Sequence, residues 1–196
     1  MTQQTAQNMD TTFQTSQCKI IPYVEYNGMR TFTDTFIMDI YDRMDKEGMT
    51  KIVFSDGEIT GAKEFLSLMK YGANALYIVE VYGDIAGIVW LNRFKGRTCY
   101  VHFCSFQKYW GEGSVKIGQS AIGQVLDMKN ENGEYRLDTL LGLIPCSNIP
   151  AIKWLKKVGL REVGTIPWSL WNQSADESEY GLLLYLTREC LSQDEL

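Results

Sequence analysis

Apolar residues recur along this chain at two periods, and each change of period marks an element. From Thr33 to Lys46, Phe36, Ile37, Ile40, Tyr41 and Met44 fall at helical spacing, and Gly48 closes the segment. Gly61 to Tyr71 repeats that period with Phe65, Leu66, Leu68 and Met69. Ile52 to Phe54 is too short for its period to be read. Ala75 to Tyr82, Ile85 to Phe94 and Arg97 to Phe106 are rich in Val, Ile, Tyr and Phe, and the pairs Gly83-Asp84 and Lys95-Gly96 part them, which predicts an antiparallel meander. Gly87 inside its middle strand marks a bulge or a close backbone approach. Ser114 to Lys129 returns to helical period and Asn132-Gly133 ends it; Gly118 on its apolar face predicts tight packing on a sheet. Leu137 to Ile144 is a nearly unbroken apolar run, as in a central strand covered on both faces. An amphipathic helix follows Asn148, then a strand over Leu160 to Ile166, a loop holding Trp168, Trp171 and Ser174, and a last strand over Tyr180 to Thr187. With a first strand over Cys18 to Tyr26, the order after it is α-α-βββ-α-β-α-β-β.

Composition narrows the class. Of 196 residues, 45% are hydrophobic and 22% charged, which suits one globular domain over 18–196. Residues 1–17 are rich in Gln and Thr and hold no Lys or Arg, so they read as a polar N-terminal tail. A net charge of −5 argues against a nucleic-acid partner, which needs clustered, uncompensated cations. Lys153, Lys156 and Lys157 form the densest basic group and read as a solvated helix face. Five scattered cysteines and one histidine do not make a zinc site, so no metal is expected. No apolar stretch approaches the ~20 residues of a membrane helix and the polar N-terminal residues lack the apolar core of a signal peptide, so no membrane partner is expected and the location expected is the cytoplasm.

Candidate chemistry lies in two segments. Lys108-Tyr109-Trp110-Gly111-Glu112-Gly113 leaves a strand and opens a helix, where unpaired N–H groups and the helix dipole favour an anion. A plain β–α turn also explains its glycines. Asn148 begins and Gly159 ends the second segment; Asn148 is an N-cap, a ligand contact, or both. His102, the single histidine, reads as a base poised near neutral pH or as a satisfied, half-buried strand residue.

Together the two segments resemble the GNAT superfamily of acetyl-CoA-dependent N-acetyltransferases. The family's loop runs Arg or Gln, two residues, Gly, one residue, Gly or Ala; here it is Lys108, Gly111 and Gly113. Its later motif is Asn, two residues, Ala, then a helix ending in Gly; here Asn148, Ala151, Gly159 and Leu160 match. The resemblance covers residues 75–187, and His102 is similar to that of members carried by bacteriophages. It implies an α+β GNAT fold: a central mixed, mostly antiparallel sheet of about seven strands flanked by about four helices. It implies transfer of an acetyl group from acetyl-CoA to a primary amine of a small-molecule or protein acceptor by direct attack on the thioester. His102 would be the catalytic base, Phe103, Cys104 and Ser105 the backbone along the pantetheine, with the Phe103 N–H on the thioester oxygen. Lys108, Trp110, Gly111, Glu112, Gly113 and Ser114 would form the pyrophosphate loop, and Asn148 would hold the pantetheine arm.

Departures set up a second reading. Glu112 brings a carboxylate to the pyrophosphate loop, and Leu155 stands where members often carry a tyrosine acid. General-acid help is worth about 10²–10⁴-fold, so its loss slows such a reaction without forbidding it. The alternative is a non-catalytic GNAT-fold binding or assembly module that still binds CoA. Trp168 and Trp171 suit an acceptor wall, core packing or a homodimer contact.

Overall fold

A computed structural model describes residues 17–192; the expected tail, Gln17 excepted, lies outside them. Its strands are β1 (Cys18–Pro22), β2 (Glu25–Tyr26), β3 (Met29–Arg30), β4 (Ala75–Val81), β5 (Asp84–Lys95), β6 (Thr98–Ser105), β7 (Thr139–Pro145), β8 (Arg161–Asn172) and β9 (Glu177–Thr187). Its helices are α1 (Asp34–Lys46), α2 (Thr50–Val53), α3 (Ala62–Lys70), α4 (Glu112–Leu126), α5 (Ile149–Val158) and α6 (Arg188–Ser192). Seven strands form one mixed sheet in the order β1-β4-β5-β6-β7-β9-β8, in which β6 and β7 run parallel and the other neighbours antiparallel. No helix among the described residues is long and apolar enough to cross a membrane.

Strand alternation sorts the core into two layers. Val89, Leu91, Cys99 and Leu140 meet Ile117, Ala121 and Val125 of α4 and Val158 of α5. Ile88, Trp90 and Cys104 meet Ile37, Tyr41 and Met44 of α1 and Phe65 and Met69 of α3. Helix ends follow local chemistry: the Thr33 hydroxyl accepts from Phe36 N–H at 3.1 Å, and Gly159 closes α5 at φ 115°.

The differences from the sequence reading have physical causes. The expected strand over Cys18 to Tyr26 breaks after Pro22, and its remainder folds into a β2–β3 hairpin around Asn27-Gly28, both at positive φ. Ile52 to Phe54 contributes to the single turn α2, and with the short α6 the helices number six among the described residues. The expected loop at Trp168 and Trp171 is part of the twelve-residue β8. Pro167 offers no N–H, Trp168 takes φ 54°, and the register with β9 shifts between Ile166 and Leu170, so a bulge hides the period. Gly87 meets both expectations: the register shifts beside it, and a Cβ there would lie 2.2 Å from the Cys104 carbonyl oxygen.

Gly118 packs on a helix, not on the sheet: a Cβ there would lie 2.5 Å from the Trp154 ring and 2.9 Å from Val158. Gly123, in the same helix, leaves a Cβ at an ordinary 3.7 Å from Leu191. Alanine at these two positions should therefore act with opposite signs in chemical denaturation. Gly123→Ala should stabilise by up to about 1 kcal/mol through helix propensity. Gly118→Ala should destabilise by about 1–3 kcal/mol through overpacking, and equal gains at both would refute the close α4–α5 contact.

Candidate active site

Parallel pairing between β6 and β7 lasts three residues, Thr98 to Tyr100 against Thr139 to Leu141, and then stops. Beyond it β6 stays with β5 as far as Ser105, and β7 stays with β9 as far as Pro145, so the sheet opens between them. The bulge beside Gly87 lies across from Ser105 and adds twist at that end of β6. The bond from Phe106 N–H to Ala86 O fixes which residues face which neighbour. By antiparallel alternation, His102 and Cys104 turn their backbone groups to β5, while Phe103 and Ser105 turn theirs into the opening. Cys104 is thus placed apart from the other two: its backbone belongs to the β5 ladder.

At the mouth of the opening the chain makes a single 3-10 turn, Gln107–Tyr109, and enters α4 through Gly111 at φ 100°. That turn is pinned from several sides. Glu47 accepts from Gln107 N–H at 2.6 Å, and Arg43 holds the same carboxylate at 3.0 Å. Lys108 points away to Asp84 at 2.5 Å, and the Tyr109 hydroxyl donates to the same carboxylate at 2.9 Å; these donors hold the Asp84 carboxyl below its usual pKa. Trp110 Nε1 donates to Ser105 O at 2.9 Å, covering one carbonyl of the opening. Ser114 is used inside the protein: its N–H and hydroxyl reach Gly111 O at 3.1 and 2.6 Å, and its oxygen accepts from Trp154 Nε1 at 3.1 Å. It shapes the helix start instead of offering a free amide. The Glu112 side chain lies outside the described atoms.

Gly113 is the informative residue. A Cβ there would meet nothing within 4 Å, so internal packing gives no reason for glycine in a helix where alanine is favoured. A ligand pressed against the main chain does give one. The cradle therefore fits an anionic group. Trp154 floors the same region, stacked on Phe103 with ring centroids 4.9 Å apart. Asn148 is the N-cap of α5, its Oδ1 accepting from Ala151 N–H at 3.3 Å.

No family model matches the chain, and no curated protein matches it in sequence. Solved structures do. Spermidine N-acetyltransferase from Vibrio cholerae, in complex with CoA and spermine, matches at TM-score 0.65 and 13% identity over 90% of this chain and 99% of that one. The microcin C7 self-immunity acetyltransferase MccE, in complex with acetyl-CoA and AMP, matches at 0.62 and 12% over 79% and 88%. RimL, the ribosomal L7/L12 alpha-N-protein acetyltransferase, matches with CoA bound at 0.63 and 9% over 81% and 92%. The chain has the GNAT fold. The resemblance to bacteriophage-borne members gains no support from these structures.

Within this GNAT fold His102 lies on the α1–α3 face of the sheet, stacked on Trp90 at 4.6 Å with Nε2 3.1 Å from Asn92 Oδ1. Burial, and secondarily the Arg93 charge, lower its pKa to about 4. The expected base poised near neutrality is thus a ring that stays uncharged well below neutrality. Cys104, buried with Sγ 3.6 Å from Met49 Sδ, has its thiol pushed up to about 12 and is no nucleophile. Leu155 is half-buried against the α4–α5 core. The contacts by which Trp154 and Glu47 shape the opening were not legible in the sequence, because each is a long-range contact that no local motif announces.

The lowered pKa makes acid sensitivity a test. The folded ring binds fewer protons than the unfolded one between pH 6.5 and about 4, so the stability it contributes is complete above 6.5 and lost as pH falls through about 4. His102→Gln should flatten the fall of the urea midpoint across that window. An unchanged slope, or an imidazole NMR midpoint near 6.5, would show the ring to be hydrated.

Proposed function

We propose that the protein transfers an acetyl group from acetyl-CoA to a primary amine by direct attack on the thioester, in the cytoplasm, where its five free cysteines stay reduced. One observation carries the reading: strand backbone at Phe103 and Ser105 left without a neighbouring strand, beside a helix start whose Gly113 faces open space. The CoA and acetyl-CoA complexes of MccE, RimL and the spermidine enzyme support it. When bound, acetyl-CoA supplies an acetyl group already activated as a thioester.

In this reading the chain's residues bind and polarise. The Phe103 N–H meets the thioester carbonyl oxygen, where a fixed donor stabilises developing charge. Main-chain amides at Gly111, Glu112 and Gly113 meet the pyrophosphate, and Asn148 steadies the arm between. The amine must enter uncharged; as its nitrogen bonds the acetyl carbon the C–S bond breaks, CoA departs as a thiolate that takes its proton from solvent, and the neutral His102 ring accepts the amine's proton, directly or through water. A second reading is favoured by two observations: the half-buried Leu155 packs against the core and His102 is a weak base. By that reading the chain binds CoA without turnover.

Because a side chain at Gly113 meets nothing in the protein, Gly113→Val should fold normally yet lose the cofactor. At 100 times its dissociation constant acetyl-CoA should stabilise the native chain by about 2.7 kcal/mol, with little shift in the variant. Equal shifts in both would overturn the cofactor cradle. Thiol release with an amine panel separates transfer from binding alone.

A further inference from the structure

Asn172, at the end of β8, starts a second set of contacts on the acceptor side of the opening. The next residue, Gln173, donates its N–H to Ser55 O at 2.8 Å, and a Cβ on Gly57 would stand 1.9 Å from Gln173 Oε1. β8 and β9 close one end of the sheet order, whereas Ser55 follows α2 in the layer over β4 to β6. The β8–β9 tip therefore reaches across the front of the β6–β7 opening and roofs it. Such a roof admits a slender molecule more readily than a folded protein surface.

Under the arm of that roof stands Glu179. Leu182, Leu184 and Leu186 of β9 point to the α4–α5 core, and a Cβ on Gly181 would point at Leu143. Alternation puts Glu179 on the Gly181 face, the side of the sheet that also carries His102. Its carboxylate is half-buried and fixed from both sides: Ser147 Oγ donates to Oε2 at 2.6 Å and Asn172 Nδ2 to Oε1 at 3.3 Å. Among the described residues no Lys or Arg pairs with it. Two neutral donors hold it in place without cancelling its charge.

Its distance from the reacting end defines what it can hold. Carrying the β6–β7 register forward sets Phe103 level with Ile144, which pairs with Leu182. Glu179 lies three residues beyond Leu182, about 10 Å along an extended strand. A carboxylate beside the reacting amine would keep it protonated and inert. One set that far away is free to bind a second, permanently charged amine.

We infer that Glu179 anchors the distal ammonium of a slender dicationic acceptor, an alkyl diamine of about eight carbons being the simplest member of the class. This rests on the acetyl-transfer reading for the chemistry at the near amine, but the anchor is a binding site in its own right. Calorimetry in low-salt buffer on the full chain would compare 1,8-diaminooctane with 1-aminooctane, which lacks the second charge. A charged hydrogen bond predicts a roughly tenfold preference for the diamine. Glu179→Gln should reduce that preference below about twofold. Glu177→Gln, an exposed acid two residues away, should leave it intact. Equal binding of the two amines, a preference surviving in Glu179→Gln, or one lost equally in both variants would overturn the anchor. So would tighter binding of a short lysine-containing peptide than of the diamine. CoA release on the same proteins reports separately: diamine binding without release keeps the anchor and removes the transferase reading, and release without a diamine preference does the reverse.

Discussion

A backbone edge in the middle of a sheet has to be satisfied by something. Buried N–H and C=O groups are almost always paired, and an unpaired one costs about as much as a lost hydrogen bond. In this chain the parallel ladder of β6 and β7 ends at Tyr100 and Leu141, yet both strands continue inside the same sheet. Phe103 and Ser105 are left presenting main-chain groups to a gap. The surroundings are arranged around that gap. The Gly87 bulge lies across from the Ser105 end of β6, Trp110 covers the Ser105 carbonyl, and Trp154 stacks on Phe103 while bonding Ser114 at the start of α4. The Phe103 groups stay available because the protein seals what flanks them and leaves them alone.

How far this was legible follows from the range of each signal. The meander was readable because Gly83-Asp84 and Lys95-Gly96 are local turn chemistry, and α5 because Asn148 and Gly159 are local caps. β8 was not, because one bulge at Pro167 and Trp168 breaks a period-two pattern, and a sequence shows the break without showing that pairing resumes. The glycines at 111 and 113 stand where the resemblance put them, at the entry to α4. Which of Phe103, Cys104 and Ser105 faces the gap depends on the parity of a ladder set by the Phe106 to Ala86 bond, which no motif encodes. His102 was readable as a position and not as a titrating group, since its neutrality comes from burial and, second, from the Arg93 charge.

The two layers of the molecule are also mechanically joined at this gap. Glu47, just past the end of α1, takes the Gln107 amide, and Arg43 both braces that carboxylate and lies 3.6 Å over the Phe106 ring. The loop that leads into α4 on one face is therefore positioned by a helix packed on the other. Upstream of Trp110 each loop residue is tied to the protein by a side chain or a turn bond; Gly111 and Gly113 have open space where their side chains would be. Rigid up to the glycines and open at them, the loop can meet a ligand without reorganising. The same contacts tie the entry to α4 to the end of α1, so the loop and the α1 layer cannot shift independently.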